Sequence, residues 1–189
     1  MGGVDGLRER KKEACRVALR EAGLRLASER GIDQVTVDAI CAEVGVSPRT
    51  FFNYFSAKEE CLLHVDVGAA EWIREAVARR PITETPMDVV LGIVRQMAER
   101  MQAREQQLRL RAQLITRYPH LRAKHSAGYE RVERTLADSL DQRGTPAPVL
   151  AAVGIAVLRA CYQPWSTSDT RALPDLVDDA FSEIKGELQ

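Results

Sequence analysis

The sequence predicts an all-α protein of about nine helices, arranged as a small N-terminal three-helix unit followed by a larger helical body. Apolar residues recur at i, i+3 and i+4 spacing along nearly all of the 189 residues. No stretch alternates as a half-buried strand does, and proline and glycine stand between the periodic runs.

Each element has its own signals. Ala14, Ala18, Leu19, Ala22 and Leu26 share a face, so residues 8–30 form an amphipathic helix stopped at Gly31. Thr36 can N-cap a short second helix reaching Glu43, with Asp38 in the first turn where the helix dipole favours an anion. Gly45 ends it, because a sharp turn needs a residue tolerant of positive φ. Ser47 then offers a capping hydroxyl and Pro48 fits the first helical position, where no donor is needed. That third helix runs to about residue 55, barely two turns. A fourth begins at Ser56 or Ala57 and continues to about Arg79, with Trp72 and Ile73 on its apolar side, until Arg80-Pro81 ends it. Further helices are expected over 86–101, 104–117, 119–143, 147–162 and 173–188, punctuated by Pro119, Gly144-Thr145-Pro146 and Pro164. The expected domains are residues 1–56 and 57–189, joined without a linker.

Composition narrows the function classes. Hydrophobic content of 45% and charged content of 29% are those of a soluble globular chain. Lys plus Arg balance Asp plus Glu at 27 each, yet residues 8–30 carry eight bases against four acids, and residues 165–189 carry six acids against two bases. The four cysteines, Cys15, Cys41, Cys61 and Cys161, form no CxxC pair and sit in apolar contexts, as buried thiols of a reducing compartment do. Cys61 and His64 share a helical face, but no second pair supplies the remaining ligands, so no metal and no cofactor is expected. The opening residues lack the apolar core of a signal peptide, and Gly6 stands where a myristoylation motif wants Ser or Thr. The uncharged stretch of residues 145–158 is too short to span a bilayer. A cytoplasmic protein without membrane contact is the expectation. An enzyme would need a convergent site; His64, His120 and His125 are the only histidines, and neither a nucleophile elbow nor a Gly-rich phosphate loop is present.

Two short helices broken at Gly45-Val46-Ser47, with a longer helix behind them, have the proportions of a helix-turn-helix. The second helix of such a pair enters the major groove while the first crosses the sugar-phosphate backbone. The cluster Phe51, Phe52, Tyr54 and Phe55 divides accordingly. Phe51 and Phe55, four apart, share a face with Val46 and Ile40 and anchor a helix too short to persist alone. Arg49, Thr50 and Asn53 form an exposed stripe able to hydrogen-bond a base edge or a phosphate. Tyr54 is either a half-buried ring with a wet hydroxyl or a phosphate contact. Lys58 is either a solvated lysine or reaches the backbone strand.

Residues 35–61 closely resemble the DNA-binding segment of TetR-family transcriptional repressors: Thr36-Val37, Ile40, Gly45-Val46-Ser47, Thr50-Phe51-Phe52, Tyr54-Phe55 and Lys58-Glu59 stand at the family spacing. By this resemblance Thr36, Arg49, Thr50, Asn53, Tyr54 and Lys58 carry the contacts to double-stranded DNA, with Val37 and Ser47 in the same set and Lys11 and Lys12 as weaker phosphate contacts. Two residues depart from the pattern. Cys41 replaces a usual alanine, and Phe52 replaces a common tyrosine, which leaves packing or thymine-methyl contact to that ring.

The resemblance implies a C-terminal domain that binds a ligand and dimerises. The run 108–122 resembles a subgroup related to the mycofactocin-system regulator, which implies an apolar effector of the fatty acyl or acyl-CoA kind. Trp72, Met97, Met101 and Leu114 either line an adaptable cavity or form ordinary core; Arg111 and Tyr118 complete the candidate ligand set. The arginines Arg104, Arg109, Arg111, Arg117 and Arg122 either bind a headgroup or are solvated. Ala152, Ala156 and Ala160 form a smooth stripe, and with Leu176 and Ala180 are the expected homodimer interface. The expected mechanism is repression at a palindromic operator, relieved when an effector displaces the helix after Ser56. Two alternatives stay open: a DNA-binding regulator without a ligand, or one switched by oxidation of Cys41 or Cys61.

Overall fold

Helical spacing and well-placed caps produce a chain of α-helices: α1 (Gly3–Arg30), α2 (Val37–Val44), α3 (Pro48–Phe52), α4 (Lys58–Leu63), α5 (Ala69–Ala78), α6 (Pro86–Gln102), α7 (Glu105–Arg117), α8 (Arg122–Gln142), α9 (Pro148–Thr167) and α10 (Leu173–Glu187). Short 3-10 turns follow α1, at Ile32–Gln34, and α7, at Pro119–Leu121. This computed structural model describes residues 3–63, 69–142, 144, 147–168 and 170–187, excluding the side chains of 3–7, 9, 123, 124 and 187. Among the described residues the fold is all-α, with ten α-helices where about nine were expected. The difference is the stretch expected as one helix over 56–79, which is described as α4 and α5. Residues 64–68 between them, and with them His64 of the Cys61–His64 pair, lie outside the described residues.

The chain divides into two compact units. The first comprises Met1–His64 with Leu110–Lys124. Its core gathers Leu19, Leu26, Ile32, Ile40, Phe51 and Phe55 from the N-terminal helices, and Leu114 and Leu121 from the returning segment. Across its surface Arg25 of α1 pairs with Glu29 at 3.2 Å and with Glu43 of α2.

The second unit comprises Val65–Arg109 and His125–Gln189. Ile73, Ile93, Leu136, Leu158, Trp165 and Phe181, each at most 1% exposed, centre its core. Arg95 joins α6 to Asp178 of α10 at 3.0 Å, and Lys185 reaches Asp88 at 3.1 Å. Thr85 caps α6 by accepting from the Asp88 N–H at 3.2 Å and donates its hydroxyl to Oδ2 of Asp88 at 2.6 Å. That hydroxyl first, then the Lys185 ammonium, hold the Asp88 carboxyl below its ordinary value. The contribution is present at neutral pH and fades as pH falls through the lowered pKa; the group is exposed, so solvent screens it.

Pro164 does not end α9, contrary to the sequence expectation. A proline interrupts the hydrogen-bond ladder, but the next turn is anchored by Trp165 at 0% exposure and Ser166 at 4%. Ser166 Oγ donates to the Gln163 carbonyl at 3.1 Å, and Thr167 Oγ1 lies 3.1 Å from both the Gln163 and Pro164 carbonyls. Burial and side-chain donors carry the helix through to Thr167.

Candidate nucleic-acid interface

Three locally encoded features build this face. Thr36 Oγ1 accepts from the Ala39 N–H at 3.1 Å and starts α2. Gly45 adopts φ 74°, ψ 35°, the left-handed conformation that closes α2, and the Val46 N–H returns to the Cys41 carbonyl at 3.0 Å. Ser47 Oγ accepts from the Thr50 N–H at 3.2 Å, with Pro48 in the first turn of α3. Helix α3 is shorter than expected and ends at Phe52. The chain continues as a turn in which the Tyr54 and Phe55 N–H groups both bond to the Phe51 carbonyl, at 2.9 and 3.0 Å.

The aromatic cluster separates along the lines expected from spacing. Phe51 and Phe55 are 0% and 1% exposed, their ring centroids 5.4 Å apart, and they hold α3 on the core. Val46 and Ile40 pack with them. Arg49 and Asn53 are exposed, and Thr50 is half-buried with Oγ1 3.0 Å from Ser47 Oγ. Thr36 and Ser47 are exposed at the two caps, whereas Val37 is half-buried and packs against the core. Tyr54 is half-buried beneath the guanidinium of Arg16, 5.8 Å from its ring centroid. Arg16 was not singled out from sequence; only its place on the helix facing the aromatic run marks it.

Lys58 is committed within the fold. Its ammonium donates to the carbonyls of Ile32 and Val35, each at 2.8 Å. Two of three donors are therefore used to close the loop before Thr36, and one is left for an outside acceptor. Lys11 and Lys12 are exposed on α1.

The candidate ligand residues fall in different units. Trp72, Met97 and Met101 are half-buried against the core of the second unit, with the Arg100 guanidinium 4.8 Å from the Trp72 ring. Leu114 is 4% exposed in the core of the first unit. Tyr118 belongs there too: its hydroxyl accepts from the Ile32 N–H at 3.3 Å. Arg111 is buried at 6%. Other arginines of the expected headgroup cluster are engaged locally. Arg109 bonds Glu105 at 2.7 Å and lies 5.3 Å from the Trp165 ring, and Arg117 lies 5.6 Å from the Tyr118 ring. Sequence spacing did not reveal a row of rings in the second unit, His125, Tyr129, Tyr162 and Trp165, because it joins two helices far apart in the chain.

On α9, Ala156 and Ala160 are exposed and Ala152 is half-buried, as is Ala180 on α10. Val149, at 72% exposure, extends the α9 stripe. Leu176 is taken up instead by the unit's own core at 7% exposure, its carbonyl accepting from Cys161 Sγ at 3.4 Å. No helix among the described residues is long and apolar enough to cross a membrane, and no group of three or more potential metal ligands occurs among them.

Comparison with known proteins agrees with this geometry. The family model "Bacterial regulatory proteins, tetR family" matches residues 19–65, and that of the "MftR C-terminal domain" matches residues 84–189. The HTH-type transcriptional regulator TcmR of Streptomyces glaucescens is 31% identical over 200 residues, covering 97% of this chain and 88% of that protein. In fold, the chain is similar to Thermus thermophilus FadR, a TetR-family repressor solved with lauroyl-CoA, at TM-score 0.57 and 21% identity, covering 88% of this chain and 91% of that one. It is also similar to the fatty acid degradation regulator FadR of Bacillus halodurans, at TM-score 0.58 and 20% identity, covering 93% and 96%. With a helix-turn-helix in its N-terminal unit and a C-terminal family match over more than half its length, the chain belongs to the TetR family of bacterial transcriptional regulators and is not an enzyme.

Proposed function

We propose that this regulator is a repressor that binds a palindromic operator as a homodimer in the cytoplasm and is released by a small apolar effector. The carrying observation is the division of α3 and the turn that follows it: Phe51 and Phe55 are buried while Arg49 and Asn53 are exposed, with Thr50 half-buried beside them. A short helix so anchored presents its polar residues at fixed positions, which base-edge recognition requires. Thr36, Ser47 and Tyr54 flank it, with the remaining donor of Lys58, as phosphate contacts; Val37 positions Thr36 by packing. The small-residue stripe of α9, with Ala180 of α10, supports dimerisation, and a two-fold pair of reading heads matches a palindrome.

An effector of the acyl or acyl-CoA kind is supported by the lauroyl-CoA complex of the Thermus fold relative. Trp72, Met97 and Met101 are the apolar residues of this chain suited to line its seat. The effector acts by binding the DNA-incompetent state more tightly. A thiol switch is disfavoured by burial. Cys41 and Cys61 are 2% and 0% exposed, and desolvation pushes the Cys41 thiol up and the Cys61 thiol up to about 12. The oxidisable thiolate is thereby suppressed at neutral pH.

Fluorescence anisotropy with labelled duplexes from the promoter region of its own gene tests the reading. Sequence-preferring binding with a steep salt dependence is expected, Arg49→Ala weakening it at least tenfold, and lauroyl-CoA releasing the duplex. Binding indifferent to sequence, or unchanged by Arg49→Ala, would refute it.

A further inference from the structure

We propose that Phe52 reads the 5-methyl group of thymine in the operator, making this exposed ring a specificity determinant; the proposal rests on the DNA-reading role of α3. Among the described residues Phe52 is one of three exposed large hydrophobic side chains, at 57% exposure, with Ile82 and Val149. It lies on the element that also presents Arg49, one turn earlier, and adjoins Asn53.

The ring is held from beneath. Its centroid is 5.5 Å from that of Phe51 at an interplanar angle of 84°, an edge-on contact with a side chain of 0% exposure. Phe51 in turn packs on Phe55, itself 1% exposed. Phe52 is thus a supported apolar surface whose outer side faces solvent.

Chemistry then selects its target. A phenyl group has neither donor nor acceptor for the base edges and cannot hydrogen-bond a phosphate. In the major groove the apolar group offered by a base pair is the C5-methyl of thymine. Arg49 and Asn53 supply the hydrogen bonds that place the helix, and Phe52 supplies a contact that discriminates thymine from a base lacking the methyl. Burying one methyl-sized group corresponds to about a fourfold change in affinity.

The test uses the full-length chain and a duplex that it selects from a random pool. Each thymine of the half-site is replaced in turn by uracil, which removes the methyl and leaves every hydrogen-bonding group. We expect about fourfold weaker binding at one or two positions for the native chain. Phe52→Ala should bind thymine and uracil duplexes equally, while Phe52→Leu, still apolar, should keep part of the preference. Equal affinity of the native chain for both duplexes, with sequence preference and salt dependence intact, would overturn this proposal alone. So would a thymine preference that survives in Phe52→Ala. Failure to select any duplex would overturn the DNA-reading role together with it.

Discussion

At the scale of single residues, Lys58 shows how one side chain answers to both fold and function. Its two 2.8 Å bonds to the Ile32 and Val35 carbonyls tie the start of α4 to the loop before α2. Hydrogen bonds from a charged donor contribute about 1.5–3 kcal/mol each. Lys58→Met, which keeps the stem, is expected to lower stability by about 2 kcal/mol in urea unfolding. If the ammonium also meets a phosphate, the salt dependence of DNA binding should fall by about one unit of slope; an unchanged slope would leave Lys58 a purely internal tie. The sequence allowed the side chain either solvent or backbone contact. It could not reveal this third arrangement, because the acceptors are main-chain carbonyls 26 and 23 residues away. The roles of Phe51 and Phe55 were legible, since four-residue spacing puts both on one face of any helix.

At the scale of elements, caps were the most legible features because their chemistry is local. Thr36, Gly45 and Ser47-Pro48 were each expected at a helix boundary, and each stands at one. Gly45 offers a clean measurement. A Cβ there would meet nothing within 4 Å, so a substitution meets no steric obstacle beyond its own backbone at φ 74°. Gly45→Ala is expected to cost about 1–2 kcal/mol, seen as a lower thermal midpoint with the folded far-ultraviolet signal retained. Loss of that signal at low temperature would mean that the turn does more than join α2 to α3. The sequence misjudged Pro164, for a physical reason: proline's local cost is visible in one dimension, whereas the burial of Trp165 that offsets it depends on the distant partners of that ring.

At the scale of the whole chain, each of two units has its own apolar core, and the boundaries between the units fall within α7 and within α8. The return of Leu110–Lys124 to the N-terminal unit was not legible, since Leu114 and Leu121 carry the same helical periodicity wherever they pack. Its consequence centres on Tyr118. The loop at Gly31, with φ 83°, leaves room for the Tyr118 hydroxyl 2.8 Å from where a Cβ would stand, and that hydroxyl holds the Ile32 amide. Substituting Gly31 would thus disturb backbone and hydroxyl together. The Ile32 amide, bonded across 86 residues of sequence, becomes a natural clock. In deuterated buffer it is expected to exchange faster in Tyr118→Phe, while the Ile40 amide, bonded locally to Thr36, keeps its pace. Equal rates for Ile32 in both chains would show that the clasp is opened by something other than this hydroxyl. If effector binding quickens the same signal, a single proton will time the release of the returning segment from the loop that precedes the DNA-reading helices.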